Sequence, residues 1–344
     1  MRFGMVFGMV TPAGSGMTWA DAVQDFVQVA PEVEDLGYDS LQVTEHHFQA
    51  DGHNPSPLMV LAAAAAVTNR ITLGTNVLLA PLYNPVKLAE DVAVLDNLSG
   101  GRFTLGVAPG YVREEFAGLQ VSYDDRASRF EEYLDVLQAA WTQETFSMDG
   151  RFVHVPETRL SPKPVQAPHP PIWYGVSGPK LLRKAAERHC PLVCSPRHGF
   201  AELAEHLAAY DAAAAEVGYV PAERPVMRGG FIAETREKAE EIAAPAVTHL
   251  FRELYGKKSA SGERVLRADD GSVVADADTV SFETFKDRYI IGTPDDAVAH
   301  VTRLRDELGV TEMQCWTQLP GITRDQAMSS ARLFAKEVIP AFAS

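Results

Sequence analysis

Four short stretches of the chain carry residue types able to do chemistry. Glu45-His46-His47 sets two imidazoles beside a carboxylate, a group that takes up or releases protons near neutral pH. Successive side chains of an extended segment alternate in direction, so only one of the two histidines faces a site. Val176-Ser177-Gly178, followed by Pro179, opens a helix with a small hydroxyl residue, and backbone N–H groups at a helix start hold an anion such as phosphate. An ordinary Ser/Gly helix cap fits the same residues. Thr75-Asn76 and Pro109-Gly110-Tyr111 are polar or glycine-rich points at the ends of apolar runs. His46, His47 and His53 match no metal-ligand spacing, so no metal is expected.

These stretches act together only if the fold gathers them, and the segment 71–111 argues that it does. Ile71–Leu79 is an apolar run suited to a strand buried on both faces. Asn84-Pro85 is a strong helix start, with Leu88, Val92 and Leu95 at helical spacing, and Gly100-Gly101 stops the helix. Arg102–Val107 is a second buried strand. Strand, helix and parallel strand form one right-handed crossover, whose two strands end on the same side of the sheet. Thr75-Asn76 and Ala108–Tyr111 therefore line one pocket.

The alternation continues along the chain. Arg2–Val10, Asp39–Val43, Ile172–Tyr174, Pro191–Cys194, Pro225–Ile232 and Glu312–Trp316 read as further strands. Helices follow them, one capped by Thr18 and running to Leu36, others starting at Pro55, Ser128, Pro179, Phe200, Thr235, Asp295 and Thr323. Asp149-Gly150 signals a type I′ hairpin between Thr145–Met148 and Phe152–Val155. Eight strand candidates alternating with helices predict an α/β fold, a (β/α)8 TIM barrel spanning 1–344 as one domain, with its site at the C-terminal strand ends. Gly256–Arg288 breaks the rhythm with charged, Gly- and Ser-rich sequence, and is expected to form a mobile lid-like insertion before the last helix–strand unit.

Bulk properties narrow the function. A hydrophobic content of 46% supports a large core, and a net charge of -15 without any basic run excludes a nucleic-acid partner. The longest apolar run, Leu58–Val67, falls short of the ~20 residues that cross a bilayer, so no membrane association is expected. Three cysteines, Cys190, Cys194 and Cys315, make no disulfide framework and point to a reducing cytoplasm.

Glu45-His46-His47-Phe48, Leu73-Gly74-Thr75 and the stretch NPVKLAEDVAVLDNLSGGRFTLGVAPGY together resemble the bacterial luciferase-like flavin monooxygenases. The resemblance extends over nearly the whole chain, through RFEEYLDVL, the proline-rich connector SPKPVQAPHPPIW and IIGTPDDAV. It implies a (β/α)8 barrel, FMN as cofactor and a homodimer, with the helices near the alanine-rich Leu61–Val67 at the interface. It also implies reduced FMN supplied by a separate flavin reductase, reaction with O2 to a flavin 4a-hydroperoxide, and oxygenation of a small organic substrate, an apolar carbonyl or hydrocarbon compound. By motif, His46 and Glu45 match the catalytic histidine and its neighbouring carboxylate. Thr75, Asn76 and Val77 match the segment at the flavin ring, where the family has a non-prolyl cis peptide at Asn76-Val77. Gly110 and Tyr111 match the loop beside the flavin, and Val176, Ser177 and Gly178 the phosphate-binding helix start. Ala108 stands where luciferases have a reactive cysteine and Pro109 where they have a phosphate-holding arginine, which implies a non-luminous member. Arg113 or the backbone would then balance the phosphate. A deazaflavin-dependent hydride-transfer enzyme and a non-catalytic flavin-binding protein are the alternatives on the same scaffold.

Overall fold

The computed structural model describes residues 1–11, 16–49, 52–255, 266–269, 271–274 and 279–343. The elements run β1 (Arg2–Phe7), α1 (Trp19–Asp35), β2 (Ser40–Val43), α2 (Pro57–Val67), β3 (Thr72–Thr75), β4 (Leu78–Leu79), α3 (Pro85–Ser99) and β5 (Phe103–Ala108). Then come α4 (Arg113–Gly118), α5 (Arg126–Thr142), β6 (Phe146–Asp149), β7 (His154–Thr158), β8 (Ile172–Tyr174), α6 (Pro179–Glu187), α7 (Phe200–Glu216), β9 (Pro225–Ile232) and α8 (Arg236–His249). The chain ends with β10 (Leu266–Arg267), β11 (Val273–Val274), β12 (Ile290–Gly292), α9 (Pro294–Leu308), β13 (Glu312–Trp316) and α10 (Arg324–Glu337).

The helices start where the sequence caps them. Thr18, Thr293 and Thr323 each accept the N–H three residues on while that residue's side chain returns to the cap, a capping box. Asn84 accepts from Val86 and Lys87, and Gly100 ends α3 in the left-handed conformation at φ 68.

Parallel pairing closes the barrel. β1 pairs β2, β2 pairs β3, β3 pairs β5 and β5 pairs β8. The ring continues through single bridges from Tyr174 to Leu192 and from Cys194 to Val226, then β9 to β13 and β13 back to β1. The core lies between this ring and the surrounding helices, in fully buried residues such as Leu41, Leu73, Phe103 and Leu105. Each such side chain contributes about 1.5–3 kcal/mol by leaving water.

Several local expectations need correction. The first strand ends at Phe7 rather than Val10, and Pro191–Cys194 joins the ring by isolated bridges instead of a continuous ladder. Ile71–Leu79 is broken at the cis Asn76-Val77 bond, after which Leu78-Leu79 pairs with Val107-Ala108. The hairpin at Asp149-Gly150 forms, but with a four-residue loop, since Asp149 pairs His154 and neither turn residue has positive φ. The cause is Glu132 of α5, whose carboxylate takes the Arg151, Phe152 and Val153 N–H groups and occupies the space beside Gly150. The helix expected from Ser128 begins at Arg126, and α4 was not anticipated.

Of the expected lid, 256–265, 270 and 275–278 lie outside the described residues. The described remainder includes the β10–β11 hairpin, with Phe285 buried and stacked on Phe251 at 3.7 Å. Among the described residues no helix is long and apolar enough to cross a membrane, and all three cysteines are free and buried.

Candidate functional site

A cavity of about 320 Å³ opens at the C-terminal ends of the barrel strands. Its wall takes Thr44–His46 from beyond β2, Asn76 and Val77 from the β3–β4 break, Ala108–Tyr111 from beyond β5 and Gly175–Ser177 from beyond β8. Residues 193–198, Met227 and Trp316 line it too, as do Leu79, Arg126 and His206. His46 and Ser177, 131 positions apart in sequence by subtraction (177 minus 46), thus share one cavity.

The two histidines part as the strand geometry requires. His46 lines the cavity, and its Nδ1 lies 2.8 Å from Glu115 Oε1. That oxygen already accepts the His47 backbone N–H at 3.0 Å, so Nδ1–H is the donor and Nε2 is left as the proton-exchanging nitrogen. Glu115 is fully buried, and its Oε2 has no partner. His47 turns away and binds Glu45 Oε1 at 2.8 Å through Nε2. Burial alone would lower His47, but the hydrogen bond and charge of Glu45, with Glu115, carry it above its usual value. Glu45 also accepts the Tyr83 hydroxyl at 2.9 Å and the Leu79 N–H at 2.9 Å. Burial, then the Glu45 charge, raises Tyr83 far above its usual value, so this hydroxyl keeps its proton. Glu45 is therefore bound to His47, Tyr83 and the end of β4, not to His46.

Close approach shapes the wall at Val77. A Cβ on Gly106 would stand 2.1 Å from the Thr75 carbonyl oxygen, so only glycine lets β5 run against this segment. Asn76 Nδ2 donates to Gln42 Oε1 at 2.8 Å. Thr75 is not on the cavity wall; its hydroxyl donates to the Gly106 carbonyl at 2.7 Å and braces the strand pair. Gly110, at φ 78, leaves room for the Phe116 ring.

Another part of the cavity wall suits an anion. Ser177 lines it, and α6 begins at Gly178 (φ 87) with no side chain capping its first N–H groups, unlike α1, α3, α9 and α10. Gly178 is the helix cap and not itself on the wall. His206 Nε2 meets the Val176 carbonyl at 3.1 Å and fixes this loop. Burial lowers His206 despite that hydrogen bond, so the ring is neutral and donates. Arg126 and Arg197 bring positive charge to the wall. Uncapped N–H groups with two guanidiniums nearby fit a phosphate. Val77, Leu79 and Val176 offer apolar surface for a ring system.

Arg113 is not on the cavity wall. It pairs with Asp124 at 3.3 Å and lies over Tyr123, whereas Arg126 reaches the wall and donates to the Gly110 carbonyl at 3.2 Å. Glu115, Arg126, Arg197, His198 and His206 escaped the sequence reading. Arg126 alone left a trace, an arginine just ahead of a helix whose start was placed two residues late.

Comparison with known proteins follows this geometry. A sequence model of the family described as luciferase-like monooxygenase matches residues 1–312. The chain is 24% identical over 352 residues to the oxygenase component of a flavin-dependent trigonelline monooxygenase from Acinetobacter baylyi, covering 99% of this chain and 96% of that one. It is 30% identical over 336 residues to an F420-dependent glucose-6-phosphate dehydrogenase from Beutenbergia cavernae, covering 93% of each. The solved structure of monooxygenase RslO1 from Streptomyces bottropensis superposes with a TM-score of 0.87 at 25% identity, covering 100% of both chains.

Proposed function

This chain belongs to the luciferase-like monooxygenase family and is a flavin-dependent oxidoreductase, and on that premise we propose that it is the oxygenating component of a two-component FMN-dependent monooxygenase. A separate flavin reductase supplies reduced FMN, by diffusion or brief docking, in the cytoplasm. Ser177, the first N–H groups of α6 and Arg126 hold the phosphate. Asn76, Val77, Gly110, Tyr111 and Val176 hold the ring system. Bound reduced flavin supplies the two electrons that split O2, so that one oxygen atom enters the substrate and the other leaves as water.

The chain's own residues bind, orient and move protons. His46, anchored through Nδ1 on Glu115, gives or takes the proton at Nε2 as oxygen is transferred. Glu45 acts at one remove, tying His47, Tyr83 and the Leu79 N–H together so that the wall holds its shape. Val193, Met227 and Trp316 form an apolar interior for a small carbonyl or hydrocarbon body and keep water from the reacting atoms. The observation that carries this reading is the meeting of His46 and an uncapped, arginine-flanked helix start in one cavity. Oxygen uptake in the presence of supplied FMNH2 tests it. Uptake that rises with added organic substrate is expected; no response to any flavin overturns it.

A second reading, hydride transfer to or from a deazaflavin, has the glucose-6-phosphate dehydrogenase relative behind it. Absorbance titrations with FMN and with F420 separate the two, because tighter binding of F420 would reject FMN as cofactor.

A homodimer completes the proposal. α2 is apolar on every side, leaving Met59 75% and Val67 38% exposed, and Val94 and Leu98 of α3 extend the patch. Exposed apolar side chains of this size on two adjoining helices call for a partner, and a second copy of the chain is the occupant proposed. A monomeric mass by light scattering at micromolar concentration would refute it.

A further inference from the structure

Arg228 of β9 is 1% exposed and is the largest fully buried side chain among the described residues. Its Nε and Nη1 have no hydrogen-bond partner. Three more buried atoms are unpartnered, His198 Nδ1, His300 Nε2 and the Tyr289 hydroxyl, on groups that each feel the Arg228 charge. The acids nearby are engaged elsewhere. Asp269 accepts from Arg288 Nε at 2.8 Å, and Glu202 lies 3.4 Å from Arg288 Nη1. Burial, partly offset by Cys194 and Tyr289, lowers Arg228 to about 10, which leaves it charged at neutral pH. A buried guanidinium without acceptors is costly, because its lost hydration is not replaced.

The compartment adjoins the cavity. Cys194 and His198 belong to the cavity wall, and Met227, the residue before Arg228, does too. Tyr289 packs over Gly229, where a Cβ would stand 2.3 Å from its ring. The unmet donors therefore sit at and behind the wall formed by Cys194, His198 and Met227, with the His198 ring 5.4 Å from that of His206, which holds the loop before Ser177.

We infer that Arg228, with His198, His300 and Tyr289 about it, is a subsite for an anionic group, a carboxylate or a phosphate ester, carried by the substrate. The inference deepens the proposed function by adding a charged end to the apolar substrate body, and it rests on that reading for the word substrate. The guanidinium supplies the charge and the acceptor-seeking N–H groups. The neutral imidazoles and the phenol hydroxyl donate to the remaining oxygens.

The test is thermal stability of the full chain against inorganic phosphate, acetate and hexanoate at constant ionic strength, with chloride as control. The melting temperature of the wild type should rise with the logarithm of probe concentration, since a ligand bound only by the folded state stabilises it. Phosphate acting alone, with its effect lost in Arg228→Met, assigns the subsite to a phosphate ester. Hexanoate acting more strongly than acetate assigns it to a carboxylate with an apolar body. Arg228→Met should abolish the response while FMN affinity stays unchanged, and Arg228→Lys, which keeps the charge but not the fork, should weaken it. A wild type that responds no more than to chloride means that water meets these donors, and overturns the inference. So does a phosphate response that survives Arg228→Met and competes with FMN, which would place the anion at Ser177 and the start of α6 instead. A retained anion response in a protein that binds no flavin would instead sink the oxygenase reading and leave the subsite standing.

Discussion

The two ends of the barrel bury polar groups in opposite ways. At the N-terminal end they meet one another, save Glu312 Oε2, which has the Arg2 ion pair but no hydrogen bond. Ser40 Oγ donates to Glu312 at 3.0 Å, Gln314 Nε2 donates to Ser40 at 3.0 Å, and Arg2 pairs with Glu312 at 2.6 Å. Close by, the fully buried Asp96 accepts from the Val165 and Gln166 N–H groups and from the Gln166 side chain. At the C-terminal end Arg228, Glu115 Oε2, His198 Nδ1, Tyr289, Trp316 Nε1 and Thr317 are left without partners. A closed polar network rigidifies; an open one reserves its hydrogen bonds for something the chain does not contain. One end therefore holds the barrel shut, and the other is kept ready for ligands.

If that division is right, substitutions at the two ends must fail in different assays. His46→Ala should lower kcat by about 10²- to 10⁴-fold, the usual worth of a placed acid/base group, with melting temperature and flavin affinity nearly unchanged. Turnover that survives would remove its catalytic role. Asp96→Ala should do the reverse, costing about 3 kcal/mol of unfolding free energy in a denaturant series while kcat per folded molecule holds. A large loss of kcat there would blur the contrast.

Acid should weaken the ends in sequence. Burial first, then neighbouring charge, depresses His198 to about 3 and His300 to about 4. The unfolded chain, titrating near 6.5, then binds more protons than the folded one, so stability present above pH 6.5 is lost as pH falls toward 4, at most about 1.4 kcal/mol per pH unit for each group. Glu34 belongs to the N-terminal end. Burial would raise it, but the Ile71, Arg70 and Asn69 N–H groups outweigh burial and hold it below its usual value. Its contribution is present above pH 4.5 and is lost only below that. Unfolding curves across this range should show His300→Gln flattening the upper part and Glu34→Gln the lower; one common effect of both would contradict the separation.

The smallest expected effect is the most pointed. Glu115→Gln should reduce kcat about tenfold, equivalent to ~1.4 kcal/mol, by loosening the Nδ1 anchor of His46. In the His46→Ala background it should do nothing further, because the two act as one unit. Additive losses would show that Glu115 acts on its own.

How much of this was legible depends on how far each interaction reaches along the chain. Thr18, Asn84, Thr293 and Thr323 announce helix starts because a cap acts within three residues. The crossover from β3 through α3 to β5 announces a shared rim, because parallel strands joined that way must end together. Strand ends of the barrel put His46, Asn76 and Ser177 on one rim, the family resemblance adds Val77, and all four line the cavity. Thr75, polar and at the strand end, was expected beside them and instead braces Gly106. The hairpin at Asp149 was expected to turn in two residues, and Glu132, far away in sequence, enlarged it.

The amino-acid sequence by itself determined the alternating elements, their caps and the rim on which a flavin site would lie, since those follow from periodicity and short-range hydrogen bonds. Tertiary structure alone decided which carboxylate His46 holds, that Arg126 rather than Arg113 faces the cavity, and that Arg228 is buried without an acceptor. Glu115 and His46 stand 69 residues apart. No local pattern encodes such a pairing; it exists only once the closed barrel has set the end of β2 against α4.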